Sequence, residues 1–418
     1  MLFLYRIGLV LFGLLMQLAA LWHPKAKRWV AGRKNLLERM ATEIKPSKQH
    51  IWFHFASLGE FEQGRPVMEA LKKERPETKL IITFFSPSGY EIRKNYELAE
   101  HVFYLPLDTP QHAAEFIRIV RPQLAVFTKY EYWYFYFRAL SRQQIPLYIV
   151  SGIFRKDQVF FTWYGGLHRS MLGFVKHFFV QNQESDDLLG SLGFRNTTLS
   201  GDTRFDRVYE LAKRPQELPE IKSFCGESPV LIAGSTWPED EALLVELLQK
   251  YPNWKLIIAP HEVDEAHIQA ILQRFPEGQV IRYSELKSEN LKGKNEFSIL
   301  NTQYSILVID TIGLLSSLYA YGDLAYIGGG FGKGIHNTLE AAAYGIPVIF
   351  GPNYQKFQEA KDLIAAKAGF SIENQKELNK LFTDLQDENK RKKAGEKAGN
   401  YVKENTGATK TILKQILN

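Results

Sequence analysis

The sequence predicts an α/β protein with two doubly wound, Rossmann-like domains in tandem, preceded by an N-terminal membrane-anchoring helix. Three observations predict it. Short apolar runs rich in Ile, Val, Phe and Leu alternate with amphipathic stretches of helical length, as in a parallel sheet with helices on both faces. The alternation restarts after a polar, Pro-containing stretch, Lys213 to Glu227, and an almost wholly apolar run, Ile7 to Trp22, opens the chain. At 418 residues the chain exceeds the size at which one core usually keeps growing, so two domains of roughly 200 residues each are expected.

The anchor comes first in the chain. IGLVLFGLLMQLAALW is followed by His23-Pro24 and then by Lys25, Lys27, Arg28, Arg33 and Lys34. It falls a little short of the ~20 apolar residues that span a bilayer, unless Leu2-Phe3-Leu4-Tyr5 joins it around Arg6. A cleaved signal peptide has a similar apolar core, with Ala19-Ala20 as its small residues. Basic residues placed after the run favour instead an uncleaved anchor that holds the following chain in the cytoplasm.

Residues 1–34 therefore read as anchor and basic linker, 35–212 as the first domain and 213–418 as the second. Strands are expected in the first at Ile51 to Phe55, Lys79 to Phe84, His101 to Tyr104, Gln123 to Phe127, Leu147 to Val150 and His177 to Val180. Phe61 to Lys73 and Pro110 to Val120 have helical patterns. In the second domain strands are expected at Val230 to Ala233, Lys255 to Ala259, Ile306 to Ile309, Leu324 to Ile327 and Val348 to Phe350. The tail from Lys376 reads as charged helices, the last expected to cross back to the first domain.

Composition narrows the function classes. Hydrophobic residues at 45% and charged residues at 23% are ordinary globular values and exclude a disordered chain. The single cysteine, Cys225, excludes an intramolecular disulfide, and no Cys/His cluster offers a zinc site. A net charge of +6 suits an anionic partner or serves only solubility. No basic stripe carries interleaved aromatics, so nucleic acid is not an expected partner.

In open α/β sheets ligands bind beyond the carboxyl ends of the strands, and two such domains facing each other make a cleft. Unusual residues cluster at such positions. Ser57-Leu58-Gly59-Glu60 follows the first strand and opens a helix, where Glu60 would project into the cleft or merely complement the helix dipole. Lys129-Tyr130-Glu131 follows a later strand and offers a second carboxylate, Glu131. Gly328-Gly329-Gly330-Phe331-Gly332-Lys333-Gly334-Ile335-His336-Asn337-Thr338-Leu339-Glu340 lies between a strand and a helix. Its glycines let backbone approach a ligand, and the helix start favours a phosphate. It is neither a Walker loop nor the dinucleotide fingerprint. Gly234-Ser235-Thr236, Pro260-His261-Glu262 and Asp310-Thr311-Ile312-Gly313 follow other strands, and Ser200-Gly201-Asp202-Thr203-Arg204 puts a cation at the interdomain step.

Taken together, ASLGE, GDTRFDR, GST, IDTIG and YIGGGFGKGIHNTLEAAAYGIPVIFGPN resemble the Kdo transferases, which move 3-deoxy-manno-octulosonic acid (Kdo) from CMP-Kdo onto lipid A precursor. The resemblance covers nearly the whole chain, in order, and includes the anchor. It implies a GT-B glycosyltransferase that inverts the anomeric centre, with no metal and no cofactor, CMP-Kdo being a substrate. It implies Glu60 as the catalytic base and Glu131 as a second essential acid. It places CMP on Ser235, Thr236, His261, Gly329, Gly330, Gly332, Gly334 and Asn337, with Glu340 on the ribose and Arg204 near the phosphate. The partners implied are CMP-Kdo, lipid A precursor (lipid IVA) and the membrane surface, with the catalytic domains on the cytoplasmic side of the inner membrane. The sequence departs from the family in having Lys129 where a Glu is usual, His261-Glu262 in place of Arg-His, and Thr338 in place of a Pro. Another GT-B glycosyltransferase, or a nucleotide-sugar epimerase of the same architecture, is the alternative.

Overall fold

All six residues of His50–Phe55 (β1) are buried, as a strand covered by helices on both faces requires. Trp52, Phe53 and Phe55 are fully enclosed there, and each such side chain contributes roughly 1.5–3 kcal/mol by leaving water. The computed structural model describes residues 1–45, 49–291 and 304–417. The chain forms two units, Met1–Asp206 with Gly407–Asn418, and Arg207–Thr406.

In the first unit β1 is joined by β2 (Lys79–Phe84), β3 (His101–Tyr104), β4 (Pro122–Thr128), β5 (Leu147–Gly152), β6 (His177–Val180) and β7 (Thr197–Leu199), in the order β3-β2-β1-β4-β5-β6-β7. In the second unit β8 (Val230–Thr236), β9 (Lys255–Pro260), β10 (Val280–Arg282), β11 (Ile306–Val308), β12 (Leu324–Ile327), β13 (Val348–Phe350) and β14 (Gly369–Ser371) follow the order β10-β11-β9-β8-β12-β13-β14. Neighbouring strands are parallel in both sheets. The connection direction reverses between β1 and β4, and again between β8 and β12. Such switch points open the crevice where α/β sheets bind ligands.

The strands expected from sequence are present. Three others, β7, β10 and β14, are sheet-edge strands of three residues each, TTL, VIR and GFS. Such short edges carry no apolar run long enough to read. The polar stretch Lys213 to Glu227, expected as the divide, instead contains the helix Pro219–Cys225, whose Ile221 and Phe224 are buried. The division falls earlier, within the helix Thr203–Lys213. The chain returns to the first unit at Gly407. There the helix Ala408–Ile416 places Ile412, Leu413 and Ile416 in the same core as Phe61, Val67 and Leu71. Asp206 caps its start, accepting from the amides of Gly407 and Thr409 at 2.6 and 2.7 Å.

The apolar N-terminal segment forms the helix Leu2–Ala19, long and apolar enough to cross a membrane. One face rests on the first unit. The Tyr5 hydroxyl donates to Asp108 Oδ2 at 2.6 Å, and the Phe12 ring lies 5.6 Å from Trp29 and 5.9 Å from Phe85. The other face, with Phe3, Leu4, Val10, Leu11, Leu14, Leu15 and Leu18, is exposed.

Candidate functional site

At the β1/β4 switch point the loops after the two strands carry both expected carboxylates. Ser57 ends β1's loop in extended conformation and the helix Leu58–Glu74 starts behind it, with Glu60 in its first turn. The Ser-x-x-Glu spacing suggests a capping box, yet the geometry differs from one. The Ser57 hydroxyl accepts no amide proton and instead donates to the Glu60 carboxylate. Glu60 is partly exposed and lies close enough to Tyr130, after β4, to push the phenol pKa up, adding to the larger effect of burial. The Tyr130 hydroxyl accepts from Arg155 at 2.8 Å.

Glu131 is supported by a relay that sequence reading missed. Its Oε2 accepts from His54 Nε2 at 3.0 Å and from Trp133 Nε1 at 2.8 Å. His54, fully buried on β1, has Nδ1 2.8 Å from Thr83 Oγ1 on β2, and the same hydroxyl accepts from Trp52 Nε1 at 2.8 Å. The Glu131 carboxylate can only accept, so Nε2 is the protonated ring nitrogen, and the bare Nδ1 of a neutral ring accepts from the Thr83 hydroxyl. His54 faced the wrong way for sequence reading: a histidine inside an apolar run reads as core.

At the β8/β12 switch point Ser235 and the glycine loop come together. Ser235 sits at φ +54°, and Lys129 and Ser151 at the ends of β4 and β5 are also left-handed, at +63° and +52°. Non-glycine residues held this way cost about 1–3 kcal/mol each and cluster at functional sites. A Cβ on Gly328 would meet the Ser235 carbonyl at 2.2 Å, and one on Gly330 would meet Gly351 N at 2.5 Å. Part of the glycine run is therefore explained by backbone packing. The amides of Gly328, Gly329, Gly332 and Gly334 are used inside the unit, Gly329 donating to buried Asp240 at 2.9 Å. Those of Gly330, Phe331 and Lys333 have no hydrogen-bond partner among the described residues.

Beyond the loop Asn337 and Glu340 meet directly, Asn337 Nδ2 donating to Glu340 Oε1 at 3.0 Å. The helix behind them, Leu339–Ala342, has only four residues, so the dipole expected to favour a phosphate is small. Thr236 is fully buried and its hydroxyl donates to Glu241 at 3.1 Å. His261 stacks between Trp237, at 4.8 Å, and His336, at 4.3 Å. Trp237 Nε1 donates to His336 Nε2 at 3.1 Å, so the proton of neutral His336 is on Nδ1. Burial, helped by His261, lowers the His336 pKa to about 4. Trp237 and Asp240 escaped sequence reading because each resembles ordinary helix-start chemistry, and His336, inside the glycine-loop motif, carried no role of its own there.

Arg204 belongs to the first unit, and its guanidinium pairs with Asp202 at 2.8 Å. The expected phosphate contact therefore competes with an ion pair already formed. Glu60 and Glu131 share one switch point; Ser235, His261, the glycine loop, Asn337 and Glu340 share the other.

Two Rossmann-like units, each with polar residues gathered at its switch point, give the chain the GT-B architecture. Proteins similar to this chain include 3-deoxy-D-manno-octulosonic acid transferases. Residues 34–207 match the family model for 3-deoxy-D-manno-octulosonic-acid transferase (kdotransferase). The chain is 27% identical over 384 residues to the 3-deoxy-D-manno-octulosonic acid transferase of Haemophilus influenzae, covering 88% of this chain and 86% of that one. It is 25% identical to a bifunctional glycosyltransferase/methyltransferase of Fusobacterium nucleatum, covering 88% of this chain but only 57% of that protein's length. A putative UDP-N-acetylglucosamine 2-epimerase from Listeria monocytogenes shares the fold at 17% identity and a TM-score of 0.58, covering 88% of this chain and 96% of that one. The resemblance carried by the sequence motifs thus holds, and the fold by itself is common to transferases and epimerases.

Proposed function

We propose that the protein transfers Kdo from CMP-Kdo to a lipid A precursor at the cytoplasmic surface of the inner membrane, with inversion and without a metal. The observation that carries this reading is the pair of carboxylates, Glu60 and Glu131, at the β1/β4 switch point inside the stretch that matches the family model. Glu60 takes the proton of the acceptor hydroxyl as its oxygen attacks the anomeric carbon. The bond from that carbon to the phosphate oxygen breaks, and its electron pair leaves with CMP. The amides of Gly330, Phe331 and Lys333 stabilise the charge that develops on the phosphate. Glu340 receives hydrogen bonds from the ribose, and the Trp237–His261–His336 stack flanks the nucleotide. Glu131, fixed by His54 and Trp133, orients the acceptor.

The test is incubation of the full-length protein with CMP-Kdo and lipid A precursor in excess EDTA. CMP release, with a lipid product heavier by the mass of Kdo, is the expected result. CMP release that needs added magnesium or manganese would refute metal independence, and CMP-Kdo converted without any lipid product would favour an epimerase-like activity.

A further inference from the structure

Beneath the N-terminal helix lies a cavity of about 460 Å³, within the usual size range of small-molecule sites. Gly13 and Gln17 of the helix form one wall; Trp29, Leu36, Leu37 and Leu107 give it an apolar lining. Arg33 and Lys34 bring two positive charges to the lining, against the single carboxylate of the exposed Glu38, which also lines it.

Arg33 is held unusually for a cation. Its guanidinium donates to the carbonyls of Leu105 and Phe85 at 2.8 Å and of Trp29 at 3.2 Å, and stacks 3.9 Å from the Trp29 ring. No carboxylate pairs with it among the described residues. Desolvation lowers its pKa to about 9, so it remains charged at neutral pH. Three of its five N–H groups are used, which leaves donors for an anion. The helix that roofs the cavity presents leucines, Val10 and Phe3 to the outside, a surface suited to acyl chains. Apolar walls, an unpaired cation and a lipid-facing roof describe an amphiphile with an acidic head.

We propose that this cavity binds one molecule of an anionic glycerophospholipid, an acyl chain between Gly13 and Leu37 and the phosphate on Arg33 and Lys34. None of the residues lining it is among those gathered at the two switch points, and its occupancy does not depend on the identity of the sugar donor. The bound lipid cements the helix to the first unit and ties that unit to acidic membrane.

The experiment is native mass spectrometry of the full-length protein in mild detergent, with phosphatidylglycerol or phosphatidylcholine added. A one-to-one adduct that prefers phosphatidylglycerol is expected. Lys34→Glu, at an exposed position, should weaken it about tenfold, the scale of removing one basic and adding one acidic group near a lipid head. Gly13→Leu, which fills the cavity, should abolish it. Equal adducts with both lipids, no adduct with either, or an adduct indifferent to both substitutions would each overturn the proposal. Because the lipid comparison uses the unmodified protein, it decides the matter even where a variant folds poorly.

Discussion

His54 Nε2 lies 3.0 Å from Glu131 Oε2, at the outer end of a buried chain that runs inward through Thr83 to Trp52. A carboxylate held by two N–H donors on one oxygen keeps its orientation and presents the other oxygen. His54→Phe should keep the ring's volume but release Glu131. Turnover should fall about 10–100-fold, the scale of losing a supporting group behind a reactive one, while CMP affinity stays unchanged. Equal losses in both would show that the substitution had only unfolded the chain.

Glu60→Gln separates chemistry from folding. The amide keeps the shape but accepts no proton, so turnover should fall by ~10²–10⁴-fold if Glu60 is the base. Ser57→Ala should cost less, since it removes one hydrogen bond to the carboxylate and leaves the acceptor of the proton in place. Thermal stability should barely move in either, because the term for one such Glu at a helix start is ~0.3–1 kcal/mol. A Glu60→Gln protein with more than about a tenth of wild-type turnover would shift the role to another group.

For the nucleotide, Glu340→Ala should weaken CMP binding by ~1.5–3 kcal/mol, the range for hydrogen bonds to charged groups. Arg204→Ala has a different expected signature. Its loss leaves nearly buried Asp202 without its cation, so melting of the first unit should drop whatever happens to CMP affinity. Calorimetry and thermal denaturation on the two variants measure the contrast.

Removal of residues 1–22 takes Tyr5 from Asp108 and Phe12 from Trp29 and Phe85. Phe85 in turn packs against Trp133, 4.8 Å away, which donates to Glu131. The truncated protein should therefore leave the membrane and still bind CMP, yet lose transferase activity even on a dispersed acceptor. Full activity of the truncated form in detergent would show that the helix is only a tether.

Asp108 gives a pH test. Burial, the largest influence, raises its pKa to about 6, against hydrogen bonds from Tyr5, Phe135 and Tyr136 that lower it. The folded state thus holds a proton that the unfolded chain loses near pH 4. Its contribution to stability is complete below pH ~4 and is lost as pH rises through about 6, an effect of ~1–3 kcal/mol. Chemical denaturation of wild type and Asp108→Asn at pH 4, 5, 6 and 7 should show the two diverging over that window, with the flatter profile in Asp108→Asn. Parallel profiles would mean that Asp108 is ionised in both states.

Much of this protein was legible in its sequence because parallel strands buried on both faces must be apolar throughout. Runs such as HIWFHF and LAYI therefore mark strands wherever they occur, and the residues directly after them mark the ligand edge. Glu60, Glu131, Ser235 and the glycine loop were found this way, without any knowledge of which strands pair. Tertiary structure alone decided the rest. Strand order brought the loops after β1 and β4 together and those after β8 and β12 together, a matter of long-range pairing that no local pattern encodes. Burial then divided the candidates: Thr236 turned its hydroxyl inward to Glu241, and Arg204 was taken by Asp202. The same folding gave His54 and Trp133 a function as donors to Glu131. A side chain's composition sets what bonds it can make, whereas its depth and neighbours set which of them it does make.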